Sequence, residues 1–323
     1  LPAIASTPTP APPESLDAGR RQWNRTVQAD TRASMTDFDF HGFDAARGEA
    51  MAAAYARDGY AIVRGVFGAD EIVRIGAAVD AVHAEALAHG RSFRHSNLFY
   101  NVAPAAEASA PPAVRMVQWP SYHQAVLNAV RTDRRIAAVL APLIGSDLKQ
   151  IINQLHWKAQ GPGADFAWHQ DSRFRKPYEA YRNLGASYVQ TGLAIDPHVK
   201  ASGAMRFVRG SHLRGSLDLD LGKKVLGREM ADAALTRAGL STADIVDLDL
   251  APGDLALWSP YLVHGSGVNG SGHQRRFYIN GYVRAEDCDR GEWAFRDGAP
   301  VAFGAEQALV HYEELRANPH PHY

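Results

Sequence analysis

The period of the hydrophobic pattern changes at Gly145, and that change restricts the fold more than any other feature of the chain. Before it, apolar residues recur at helical spacing. FDAARGEAMAAAYARD (residues 43–58) favours helix through its alanines and is closed by Gly59. YAIVRGV (60–66) reads as a short buried strand. In the next helix Asp70 is placed to cap, Ile72, Ile75, Val79 and Val82 share a face, and Gly90 ends it. Residues 91–120 read as irregular, with an Ala/Pro loop over 103–112, and two short helices follow over 122–131 and 133–143. After Gly145 the chain reads as strands, at 148–158, 187–195, 204–208, 245–250, 255–258 and 275–283, separated by Gly, Pro, Asn and Asp turns. Helices followed by many strands imply an α+β chain with a β sandwich or barrel core. The expected organisation is a Pro- and Ala-rich flexible arm over 1–35 and one domain over 36–323. That domain divides into a helical lead-in at about 43–144, a β core at about 145–285 and a C-terminal extension at 286–323. The polar, partly helical segment 213–243 is expected to cover one rim.

Composition removes several function classes. The chain has 46% hydrophobic and 21% charged residues and a formal charge of -1, with no basic face of the kind that holds nucleic acid. One cysteine, Cys288, leaves no intramolecular disulfide and no multi-cysteine metal site, which suits a reducing, cytoplasmic setting. No apolar run approaches the ~20 residues that a membrane-spanning helix needs. Oligomeric state is open at this level.

The chemistry centres on WHQDSRF (168–174), which sets His169 and Asp171 two positions apart. On a strand such residues share a face, so both could grip one metal ion from the same side. His264, in LWSPYLVHGSGVN, is the best candidate for a third ligand. Two His and one carboxylate form the facial triad of non-heme Fe(II) oxygenases, which leaves positions open for co-substrate and oxygen. The alternative is a hydrogen-bonded His beside a surface Asp. The Gly253-Asp254 turn launches the strand ahead of His264. Arg275 follows eleven residues after that His, on a face shared with Phe277 and Ile279, and an Arg facing inward needs an anion.

These stretches, with GAMRFVRGSH (203–212), resemble the phytanoyl-CoA dioxygenase-like family of Fe(II)/2-oxoglutarate oxygenases over roughly residues 59–283. The resemblance implies a double-stranded β-helix, a jelly-roll or cupin-like core, with N-terminal helices packed on one sheet. It implies that His169, Asp171 and His264 bind Fe(II), and that Arg275 with Ser266 binds the distal carboxylate of 2-oxoglutarate. Arg276 is the competitor of Arg275, one step off the family spacing, and Asn153 and Thr191 are further candidates for the co-substrate pocket. His212 is expected to be structural. His156, Gln154 and Lys158 either point inward or are satisfied polar groups lining a sheet.

The implied reaction consumes O2 and 2-oxoglutarate, releases succinate and CO2, and hydroxylates an unactivated C–H bond. Desaturation, epoxidation or cyclisation is the alternative outcome, and Asp171 fills the position that halogenating relatives leave small. Arg173, Arg175 and Tyr178 directly follow the metal motif, where they either suit a small anionic metabolite or form a solvated loop whose charges neutralise neighbouring acids, and His95 is placed near the mouth of the site. The rival from outside catalysis is a cupin-like metal-binding or sensor protein, against which Arg275 speaks.

Overall fold

The computed structural model describes residues 36–103, 112–161, 164–219, 225 and 231–308. The N-terminal arm expected over 1–35 and most of the 103–112 loop lie outside these.

The helical lead-in forms much as its composition dictates. β1 (Asp37–Asp39) pairs in parallel with β2 (Tyr60–Arg64), and α1 (Ala45–Asp58) lies between them in sequence. The Asp44 carboxylate accepts from the Arg47 N–H at the start of α1, and Gly59, at φ 85°, closes it. α2 (Ala69–His89) starts two residues earlier than expected, with Gly68 at its N-cap. The capping side chain is Glu71, whose carboxylate reaches back to the Gly68 N–H at 2.9 Å; Asp70 is already inside the helix. Residues 91–120 depart from the irregular reading. They form β3 (Phe93–His95), β4 (Leu98–Ala103) and β5 (Ala113–Gln118), joined to the main sheet. The first two strands turn over Ser96, at φ 55°, and Asn97; adjacent buried pairs such as Phe99 and Tyr100 break the alternation that would reveal a strand. α3 (Ala125–Arg131) and α4 (Arg134–Ile144) complete the lead-in.

Beyond Gly145 come β6 (Leu148–Lys158), β7 (Phe166–His169), β8 (Tyr188–Ala194), β9 (Met205–Val208), β10 (Ile245–Asp247), β11 (Leu255–Trp258), β12 (His264–Ser266) and β13 (Arg275–Arg284). β14 (Glu292–Arg296) and β15 (Ala299–Pro300) follow. The large sheet runs β1-β2-β11-β8-β13-β6-β5-β4-β3, and the small one β10-β9-β12-β7. β14, within the expected C-terminal extension, belongs to the core after all, because it pairs with the first residues of β6.

Alternation along the large sheet separates two faces. Val189, Leu193, Leu255, Leu257, Tyr278 and Trp157 point outward and bury α1–α4 in one hydrophobic core. Ala194, Ala256, Trp258 and Phe277 point inward and meet Met205 and Phe207 of the small sheet. Two facing sheets with helices on the outside of the larger give the expected jelly-roll architecture. From the described part of the segment 213–243, Leu219, Val225 and Leu235 pack against Trp168, Val208 and Val263 of the small sheet and its flanks.

Candidate metal centre and co-substrate pocket

His169 and His264 stand directly opposite each other on the antiparallel strands β7 and β12, with ring centroids 4.1 Å apart. Each ring is fixed by its own strand: His169 Nδ1–H donates to the Ala167 carbonyl at 2.8 Å and His264 Nδ1–H to the Leu262 carbonyl at 2.9 Å. Both Nε2 atoms are thereby left as lone-pair donors aimed at one point. Asp171 reaches that point by a different route from the one expected. β7 ends at His169, and Asp171 opens a 3-10 turn over Asp171–Phe174, so a shared strand face does not align it. Instead the Trp258 indole N–H, from β11, donates to Asp171 Oδ2 at 3.0 Å. Asp171 Oδ1 then lies 3.9 Å from His169 Nε2, and Oδ2 lies 3.7 Å from His264 Nε2. All three candidate ligand atoms fall within 4.8 Å of one another, and all three residues are buried.

The electrostatics suit a cation. Burial, with His264 adding to it, pushes His169 down to about 3, so the imidazole is neutral and free to coordinate. Burial alone would raise Asp171, but the two imidazoles, Arg175 and the Trp258 N–H outweigh it and hold the carboxylate below its usual range.

The pair of arginines at the start of β13 separates as the alternation requires. Arg276 points out toward α2 and is held by Asp196, at 2.9 and 2.7 Å, and by Asp80 at 2.9 Å. Arg275 points in and is buried, and burial without a paired carboxylate pushes it down to about 9. It touches His198, whose Nε2 lies 3.0 Å from Arg275 Nη1 and accepts from the Met205 N–H at 2.9 Å. His198 carried no motif; it follows β8 in an Asp-Pro-His turn and only the fold brings it to Arg275. Ser266, on β12 beyond His264, accepts from Lys158 Nζ at 2.7 Å. His156 and Gln154 lie on the same inward face of β6, 3.1 Å apart, and the His156 ring approaches Phe166 of β7.

Two expected co-substrate contacts fall on the wrong face. Asn153 pairs with Asn280 across β6 and β13 and donates to the Tyr278 hydroxyl at 2.6 Å and to Asn280 Oδ1 at 2.8 Å, all outside the barrel. Thr191 sits between the outward Val189 and Leu193, and its hydroxyl is used by the Asn280 carbonyl at 2.9 Å. The period of two excludes both from the interior and puts Gln154 and Gln190 there in their place.

Of the substrate candidates, Arg175 is closest in character to expectation. It is 4% exposed, lies over the Tyr188 ring and contributes to holding Asp171 down. Arg173 is partly buried and its guanidinium lies over Phe174. Tyr178 is exposed and lines a groove of about 860 Å3 with Arg175, Tyr181, Asn183, Tyr261 and Arg284. His95 departs from expectation: it is exposed on β3, at the end of the large sheet and three strands from β6. Sequence reading missed Ser172 Oγ, Tyr188 OH and Gln190 Oε1, which are buried without hydrogen-bond partners. The last two crowd Gly281, where a Cβ would sit 2.2 Å from the Tyr188 hydroxyl and 2.8 Å from Gln190 Oε1. His212, as expected, ties α1 down through the Ala56 carbonyl at 3.0 Å.

Residues 55–277 match the family model described as Phytanoyl-CoA dioxygenase (PhyH). The chain belongs to the phytanoyl-CoA dioxygenase family. It is a non-heme iron, 2-oxoglutarate-dependent dioxygenase. Among its relatives is the "Probable alpha-ketoglutarate-dependent hypophosphite dioxygenase" of Stutzerimonas stutzeri, 25% identical over 240 residues, which are 72% of this chain and 77% of that one. The 2-aminoethylphosphonate dioxygenase of the uncultured bacterium HF130_AEPn_1 is 23% identical over 184 residues, 57% of this chain and 63% of that protein. The fold is similar to that of the epimerase SnoN in complex with Fe3+, alpha ketoglutarate and nogalamycin RO, with TM-score 0.55, 22% identity and coverage of 84% and 98%. EctD from S. alaskensis with bound Fe gives 0.57, 20%, 87% and 91%. Among the described residues no helix is long and apolar enough to cross a membrane.

The donor set fits the group that this family implies: two imidazoles and a carboxylate for iron. Iron, when bound, would activate dioxygen as the oxidant, with 2-oxoglutarate supplying two electrons as it is converted to succinate and CO2.

Proposed function

We propose that this dioxygenase hydroxylates a C–H bond of a small anionic metabolite, with iron held by His169, Asp171 and His264 and 2-oxoglutarate anchored by Arg275 and Ser266. The observation that carries the substrate class is Arg175. It is a buried guanidinium beside Asp171, paired with no carboxylate among the described residues. The Asp171 carboxylate beside it is committed to the metal in this reading, so a further anion is what offsets the cost of burying this cation. Ser172, Tyr188 and Gln190 offer neutral polar atoms around the same point, and Arg173 and Tyr178 flank the approach. The relatives named for hypophosphite and 2-aminoethylphosphonate support an oxyanion, phosphorus- or carboxylate-based. In this reading Asp171 stays ionised, the Nδ1–H bonds hold both imidazoles in their coordinating tautomer, and the buried setting excludes bulk water. The single, buried Cys288 supports a reducing, cytoplasmic location.

A screen of phosphonates, phosphinates, carboxylates and their neutral ester and amide analogues for substrate-dependent succinate release tests the proposal. Arg175→Gln should raise the KM of the substrate found by about tenfold or more and leave the 2-oxoglutarate KM nearly unchanged. Turnover confined to neutral compounds, or an unchanged substrate KM, would remove the anionic assignment. Product mass and NMR together decide the reaction: a gain of one oxygen with a new carbinol signal supports hydroxylation, whereas a gain of one oxygen with loss of an alkene indicates epoxidation and a loss of two hydrogens indicates desaturation or cyclisation.

A further inference from the structure

Arg275 is not the sole cation at its end of the barrel. Lys158, the last residue of β6, is its direct partner in the β13–β6 register and is 4% exposed. Its Nζ donates to the Ala164 carbonyl at 2.9 Å and to Ser266 Oγ at 2.7 Å, which leaves the third N–H without an acceptor. Because Ser266 accepts from Lys158, its own hydroxyl proton is free to donate. Arg275 Nε has no hydrogen-bond partner either. Three donors from β6, β12 and β13 thus converge, and among the described residues no carboxylate lies within ion-pair distance of Lys158 or Arg275.

The lysine stem packs against the backbone of Gly203. A Cβ at Gly203, which holds φ at +66°, would sit 2.7 Å from Lys158 Cε and 2.7 Å from the Gly267 carbonyl oxygen, so the side-chain stem is already in close contact there. The charged or titratable groups around it are Arg275, His198, His156 on its own strand, and Asp165 ahead of β7. Asp165 is the one acid of the set, and its Oδ1 is buried without a hydrogen-bond partner. Burial, with Arg275 adding to it, pushes Lys158 down to about 7, while Asp165 opposes the shift. Two neighbouring cations in such a place repel each other, and an arriving carboxylate reverses the balance in favour of the ammonium form.

We propose that Lys158 is a second cationic anchor for the distal carboxylate of 2-oxoglutarate and takes up a proton as that carboxylate arrives. The inference rests on Arg275 being the first anchor. The proton comes from solvent and goes to Nζ; no covalent bond changes and nothing is oxidised. Lys158 acts as a binding residue that makes co-substrate affinity depend on pH.

Titration calorimetry of 2-oxoglutarate into the full, Mn(II)-loaded chain under nitrogen tests this without turnover. Run at about pH 8 in buffers of different ionisation enthalpy, the wild type should take up most of one proton per 2-oxoglutarate bound, since a lysine at about 7 is then largely neutral. Lys158→Met should abolish the uptake and weaken binding by roughly ten- to a hundredfold. Lys158→Arg, always charged, should keep much of the affinity and lose the uptake. Absence of uptake in the wild type, or uptake and affinity unaltered in Lys158→Met, would overturn the inference. Arg275→Gln separates it from the reading beneath it: if that variant binds 2-oxoglutarate as the wild type does, the Arg275 anchor fails. If it binds poorly while Lys158→Met binds normally, only the role of Lys158 fails.

Discussion

The two faces of the large sheet both bury polar groups and, the unpartnered Trp157 Nε1 of the outer face aside, they treat them in opposite ways. On the outer face Gln150, Asn153, Asn280, Tyr278 and Ser121 satisfy one another: Gln150 and Asn153 both donate to Asn280 Oδ1, and the Tyr278 hydroxyl bridges Asn153, Ser121 and the Leu127 carbonyl. On the inner face Arg275 Nε, Tyr188 OH and Gln190 Oε1 find no partner, and Lys158 keeps an unused N–H. The adjacent residues Arg275 and Arg276 carry the contrast within one strand, since the outward guanidinium is closed by two aspartates and the inward one by none. A closed network holds the sheet to its helices. An open set of buried donors is costly in the isolated protein and becomes favourable only with a ligand.

That contrast makes graded predictions. The largest effect is expected at the metal: Asp171→Ala should reduce substrate-dependent succinate formation to background with the circular dichroism spectrum unchanged, because it removes one of three convergent ligands. Wild-type rates in a folded, iron-loaded variant would break the triad. Next comes the arginine pair. Losing a charge-assisted contact to a shielded carboxylate costs about 1.5–3 kcal/mol, so Arg275→Gln should raise the 2-oxoglutarate KM by roughly ten- to a hundredfold. Arg276→Gln should leave it within about twofold and act on stability instead, through Asp196 and Asp80. The reverse order of severity would mean that the strand register is off by one. The smallest effect on function is expected on the outer face. Asn153→Ala should lower Tm by several degrees, as befits about 1–3 kcal/mol for the groups left unpaired, with 2-oxoglutarate affinity unchanged. A loss of affinity there without a loss of stability would erase the distinction between the faces.

Much of this was legible before any coordinates. The strands 148–158 and 255–258 were bounded correctly because turn residues flank clear runs, and Arg275 was separated from Arg276 by alternation with Phe277 and Ile279. Asn153 and Thr191 were chosen by residue type without their strand's phase, and phase is what excludes them. β3 to β5 escaped notice because their buried residues are consecutive in places, as at Phe99 and Tyr100, and that pattern arises only from the neighbours they meet.

The sequence by itself determined the lead-in helices, six of the core strands, the identity of the three metal-ligand candidates and the face on which Arg275 lies, because local propensity, turn chemistry and a period of two act over a few residues. Only the tertiary structure decided that Asp171 is aimed by the indole of Trp258, that His198 meets Arg275 and that Lys158 stands beside it. Those contacts join residues 77 to 117 positions apart, and they follow from how two sheets face each other, which no local pattern encodes.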